Sequence, residues 1–293
     1  MTLLALGSPV LGAWLDARIA SGLVFALPLG LAGLAFLRFF LLKRLGNSIP
    51  EPRGPFWRGA AAGLATVAAL LAIVLLTPAL LGAFRPEASG YAPFSPAPAP
   101  ASPSSAFATF GFFALQSLIE ELLFRAFLLT LIGSVVLLLA RLLFGTLSGA
   151  DEPHRAARRW LVAGLLANTG QSVAFASLHA INPNVTPLAL LNVGLAGAVL
   201  GWLYWSEGGL LGCWTFHVLW NFTLAAVALP VSGMSIGAPV LATGIRGAGL
   251  PAVSGGAFGP EGSVLSTAGL AAVLVFLVRR SARRLPNGYP SPS

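Results

Sequence analysis

Seven stretches of the chain are rich in apolar residues, at 19–42, 59–84, 106–144, 161–179, 188–206, 209–229 and 263–278. A helix rises 1.5 Å per residue, so about 20 apolar residues cover the ~30 Å hydrocarbon layer of a bilayer. Most of the stretches reach or approach that length; the last is short and the third is nearly twice too long. The pattern predicts an all-α fold, a polytopic transmembrane helix bundle with seven crossings. An eighth crossing would need the third stretch to fold back near Gly133 and Ser134. The first twenty residues, with Asp16 and Arg18, resemble neither a cleaved signal nor a full span.

Composition strengthens the membrane reading. Hydrophobic residues make up 56% of the chain, charged residues 9%, and the mean hydropathy is +0.84, which no soluble domain shows. The net charge of +8 comes almost wholly from arginine, and the arginines cluster at the ends of apolar stretches. Lys43, Arg44, Arg53 and Arg58 follow the first stretch, Arg155, Arg158 and Arg159 the third, and Arg279, Arg280, Arg283 and Arg284 the last. The loops at 86–103, 182–187 and 232–262 are poor in basic charge. Basic loops stay in the cytoplasm, which places the N-terminus outside and the C-terminus inside. No basic face interleaves with aromatics, so a nucleic-acid partner is not expected. The single cysteine, Cys213, excludes an intrachain disulfide and a multi-cysteine metal site.

The Pro-rich segment at 86–103 cannot bury a core and reads as a loop. It divides the chain into two leading spans with that loop (1–105), a helical core (106–230), and a Gly-rich loop with the last span and a basic tail (231–293). No internal repeat is evident.

Ionisable groups at membrane depth are costly, and their presence is a functional signal by default. They concentrate in three places: Glu120, Glu121 and Arg125; Phe175 with His179; and His217 with Asn221. Adjacent helical residues point about 100° apart, so the two glutamates cannot share a task. Glu121 precedes Arg125 by four residues, the favoured order for an ion pair. Glu120 is then left to face a cavity as a general base. The bland alternative is a pair of helix-end charges with Arg125 reaching to the headgroups. His217 and Asn221, four apart, share one helical face and can hold a water or metal and stabilise an oxyanion, or serve as packing groups between helices. Together the clusters supply what amide hydrolysis needs, and neither Ser177 nor Cys213 has the context of an activated nucleophile.

The ordered set Glu-Glu-x-x-x-Arg, Phe-x-x-x-His and His-x-x-x-Asn resembles the CPBP family of intramembrane proteases. That family includes CAAX prenyl-protein endopeptidases and bacterial proteins linked to bacteriocin processing or self-immunity. The likeness covers roughly residues 116–222, including the Gly-rich run of Gly194, Gly197 and Gly201, then Gly208, Gly209 and Gly212. It implies that Glu120 activates water, that His179 and His217 position that water or bind a metal, and that Asn221 joins the oxyanion site. Glu121, Arg125 and Phe175 would support them. His179, His217 and Glu120 could fill a zinc site with one open position, while a metal-free glutamate mechanism is also argued for the family, and residue types alone do not decide between them. The implied substrate is a membrane-associated peptide or protein, and the implied location a bacterial inner membrane. Prenylated C-termini, leader peptides and C-terminal sorting tails all remain open.

Two features depart from the family pattern. The stretch between Arg125 and Trp160 is long, with an extra apolar run and a charged segment within 135–159; His154 there matches no motif and is expected to be solvated. In the orientation set by charge, His179 also lies near the outer end of its helix, whereas the CAAX enzymes act on the cytoplasmic side. The competing functions are a non-catalytic membrane scaffold and a proton-coupled transporter using Glu120, the latter lacking the repeated halves common in such folds.

Overall fold

The computed structural model describes residues 57–77, 84–86, 103–145, 152–236, 245–247 and 251–284. The expected first span at 19–42 lies outside them. Helix α1 (Trp57–Leu71) runs on through a wider turn (Ala72–Leu76), and α2 (Pro103–Glu121) continues through a π-helical stretch (Leu122–Leu129) into α3 (Thr130–Phe144). Then follow α4 (Glu152–His179), α5 (Pro187–Leu203), α6 (Leu210–Ala226), the one-turn α7 (Pro251–Ser254) and α8 (Val264–Arg284). Two three-residue strands, β1 (Phe84–Pro86) and β2 (Ile245–Gly247), pair antiparallel, a small exception to the all-α expectation.

Five helices among the described residues are long and apolar enough to cross a membrane, and α6 is a shorter apolar helix. The chain is a multi-pass helical membrane protein. Large apolar side chains such as Leu64, Phe107, Leu142, Val173, Leu191 and Phe276 point outward, as a lipid-facing surface requires.

The fold-back at Gly133 and Ser134 does not occur. Both residues are buried inside α3, where Gly133 packs against the Trp205 ring. The third stretch is instead one unbroken helix ending at Gly145, whose φ of 70° suits glycine. The extra residues of the long connection therefore lengthen a helix. Arg159, at the start of α4, donates to the carbonyls of Gly145 (3.0 Å) and Phe144 (3.3 Å) and so satisfies acceptors that the helix end leaves open. His154 is exposed, as expected.

Small residues set the closest crossings. Gly59 and Gly63 of α1 meet Gly212 of α6 backbone to backbone, and a Cβ at Gly63 would collide with the Gly212 carbonyl. On α5, Gly197 faces Phe175 and Ser172, and Gly201 sits under the amides of Asn168 and Gln171. Those amides do not stay unpaired: Asn168 Nδ2 donates to the Ala198 carbonyl at 2.8 Å, and Gln171 Nε2 to the Gly197 carbonyl at 2.9 Å. Gly194 has only an ordinary contact with Ala176, so it is not part of the tight seam. Helix α5 starts where Thr186 caps the Ala189 N–H with Pro187 in the first turn. Trp202 of α5 donates to Ser281 of α8 at 3.1 Å, and Trp214 of α6 to the Ala114 carbonyl of α2 at 2.8 Å.

Candidate active site

Glu120 and Glu121 end α2, at the point where the helix widens into its π-helical stretch, a distortion common at functional sites. Glu121 and Arg125 are fully buried, with Glu121 Oε1 3.1 Å from Arg125 Nη1. Arg125 also donates to the Gly197 carbonyl at 3.4 Å and lies 4.4 Å from the centre of the Phe175 ring. It does not reach toward headgroups. Phe175 thus has a defined place: it lies against the guanidinium and also approaches the His179 ring, with ring centres 4.5 Å apart.

Glu121 has a second partner that the spacing of residues did not predict. Its Oε1 accepts from His217 Nδ1 at 2.7 Å. A carboxylate can only accept, so the His217 proton sits on Nδ1 and the Nε2 lone pair turns away from Glu121. That lone pair faces Glu120, with 3.9 Å between Nε2 and Glu120 Oε2. His179 is fixed the same way, its Nδ1 bonded at 2.8 Å to the Phe175 carbonyl one turn earlier.

Glu120, His179, His217 and Asn221 line one cavity, so three separate segments of sequence converge on it. Each of the four is buried. Glu120 Oε2 has no hydrogen-bond partner among the described residues. Asn221 Nδ2 donates to Gln116 Oε1 at 3.2 Å, which leaves its second N–H for another acceptor. Gln116 lies one helical turn before Glu120 and lines the same cavity; the i,i+4 spacing was the available signal for it.

Sequence reasoning also missed Glu261, the single acidic residue of the Gly-rich loop, just before the last span. It is buried beside a second cavity that shares His179, His217, Asn221 and Ser232 with the first. Its Oε1 accepts from Trp220 Nε1 at 2.9 Å and its Oε2 from the Ser232 N–H. Ser232 has a left-handed backbone (φ 50°), a costly conformation for serine, and its carbonyl is held by Asn182 at 3.1 Å. Burial pushes the Glu261 carboxyl above 4.5, opposed by the Trp220 and Ser232 hydrogen bonds. Both oxygens already accept bonds, so Glu261 fixes its neighbours and is not a free base.

The donor set suits zinc by residue type, two imidazole Nε2 lone pairs and a carboxylate. Among the described residues, however, no three His, Cys, Asp or Glu side chains are grouped closely enough to hold a metal ion. The described geometry does not fit a metal centre.

Helices long and apolar enough to cross a membrane thus bring a carboxylate, two imidazoles and a carboxamide to one cavity of a multi-pass membrane protein. Residues 102–223 match the family model described as type II CAAX prenyl endopeptidase Rce1-like. The match is a similarity over that segment, in line with the resemblance of the three motifs, and the segment contains every motif residue from Glu120 to Asn221. No curated protein sequence and no solved structure matches the chain.

Proposed function

We propose that the protein is an intramembrane endopeptidase in which Glu120 activates a water. The observation that carries the reading is the facing pair of Glu120 Oε2 and His217 Nε2, 3.9 Å apart, with His217 held in a fixed tautomer by Glu121. A water between these groups and His179 would give one proton to Glu120 as its oxygen attacks the peptide carbonyl. The second N–H of Asn221 would bind the developing oxyanion. Glu120 then passes its proton to the leaving amine, so the base is regenerated in the same cycle. The membrane-spanning surroundings support this use, since a buried carboxylate oxygen without a partner is costly at that depth.

Glu120→Gln preserves shape and removes the base. Peptide cleavage by the purified variant in detergent or lipid should fall by about 10²–10⁴-fold, with folding and membrane insertion intact. Near-normal turnover would overturn the assignment. Asn221→Ala should cost about 10²–10³-fold in kcat. Exhaustive treatment with a chelator checks the Glu120 route: loss of activity that zinc restores would overturn it. Activity unchanged by chelation is the outcome expected from the water held by Glu120.

A further inference from the structure

The catalytic cavity and the positive charge lie at opposite ends of the bundle. The cavity is walled at its mouth by Asn182, just past the end of α4, and by the turn Val231 to Ile236 after α6. Glu261 joins that end immediately before α8 starts. Phe110, near the start of α2, meets Phe222, near the end of α6, with ring centres 5.3 Å apart, so α2 also begins there. The β1–β2 ladder links the segments after α1 and after α6 at this end.

The arginines sit at the other end. Arg58 begins α1 beside the Gly212 end of α6, Arg141 ends α3, Arg155 to Arg159 begin α4, and four arginines close α8. Nine of the described arginines lie there, against Arg85 and Arg246 at the mouth end and Arg125 inside the site. The separation matches a membrane. From Arg159 to His179 is 20 residues of unbroken helix, about 30 Å at 1.5 Å per residue, the thickness of the hydrocarbon layer. With one end of α4 at the basic interface, the cavity mouth falls at the other. Arginine-rich ends are retained in the cytoplasm.

From this opposition we infer that the cavity opens on the face away from the cytoplasm, and that its substrate is a membrane-proximal peptide segment of an exported protein. A prenylated C-terminus presented in the cytoplasm would meet the arginine-rich end instead. The lining suits a segment lying against the membrane, since Phe112, Val231, Met234 and Ile236 add apolar side chains to the polar groups of the cavity. The substrate class rests on the proteolytic reading of the site, and the direction of opening does not.

Two measurements separate these. Ser235 is exposed beside the rim, Arg283 is exposed at the basic end, and the native Cys213 is fully buried. In intact cells, Ser235→Cys should react with a membrane-impermeant maleimide, and Arg283→Cys should react only after permeabilisation. The wild-type chain serves as the unlabelled control. Labelling of Arg283→Cys with protection of Ser235→Cys overturns the inference. In the second arm, peptide termini are compared by mass spectrometry between membranes of cells carrying wild-type protein and the Glu120→Gln variant. Termini that depend on Glu120 should map outside, within about ten residues of a span, a reach of at most ~35 Å for extended chain. Termini mapping to cytoplasmic C-termini overturn the substrate class. If no terminus depends on Glu120, the protease reading fails while the labelling still decides the face.

Discussion

One oxygen of Glu121 binds both Arg125 and His217, so this residue couples the stability of the site to its chemistry. Glu121→Gln should destabilise by about 3–5 kcal/mol, because it leaves Arg125 buried without its counter-charge. Adding Arg125→Met should restore melting temperature and yield, since the uncompensated charge is then gone. It should not restore peptide cleavage, because the neutral amide is a weaker acceptor than the carboxylate and can turn its NH2 toward Nδ1, so the His217 tautomer is no longer fixed. A double variant that recovers stability and activity together would show that Glu121 acts on Arg125 alone. Glu261 offers the converse case. Its folded-state carboxyl is raised by burial, so its contribution to stability is fully present below about 4.5 and is lost as pH rises through the folded value. Glu261→Gln removes that slope. Melting of the variant should therefore be flatter across this window, measured in one detergent from acid to neutral pH. A wild-type and variant pair with parallel profiles would contradict the assignment.

The helices were legible wherever a hydrophobic run had to cover a bilayer, and the ion pair was legible because Glu121 and Arg125 are four residues apart. The widening of the helix at Leu122–Leu129 was not, since the residues there are ordinary helix formers and carry no local signal for a register change. The His217 bond to Glu121 was equally hidden, because 96 residues separate them and no local spacing encodes the contact. The α4–α5 seam shows a finer limit. The spacing of Gly194, Gly197 and Gly201 gave the three glycines equal weight, while the structure uses only the last two for close approach. Gly201→Ala should displace the Asn168 and Gln171 amides and destabilise by about 1–3 kcal/mol, as overpacking does. Gly194→Ala should be neutral or slightly stabilising, since its Cβ would find ordinary contact at 3.7 Å and alanine favours helix. Thermal melting of the two variants decides it; equal losses would mean that the seam closes along its whole length.

At the scale of the molecule, the family match ends at residue 223, but the cavity does not. Val231 to Ile236 form part of its wall, Glu261 holds Ser232 and Trp220 in place, and α8 anchors both through α5. The anchoring is specific: Asn192 of α5 donates to the carbonyls of Glu261 (2.7 Å) and Ser263 (2.8 Å) and accepts from Thr267 of α8 at 2.7 Å, while Ser281 binds Trp202. These polar contacts lie where water is scarce, so they favour docking of α8 even without a covalent link. A chain ended after Ile236 should therefore insert yet lose cleavage. Co-expressing residues 237–293 as a separate polypeptide should restore cleavage, and the same fragment with Glu261→Ala should dock without restoring it. Co-purification reports the docking and peptide turnover the activity. Full activity of the shortened chain alone would show that the matched segment is sufficient and that Glu261 is only a structural strut. The motifs identified the chemistry because hydrolysis needs certain groups at fixed helical spacings. A clamp made by one loop carboxylate needs only proximity, which the helix packing supplies and no pattern in the loop records.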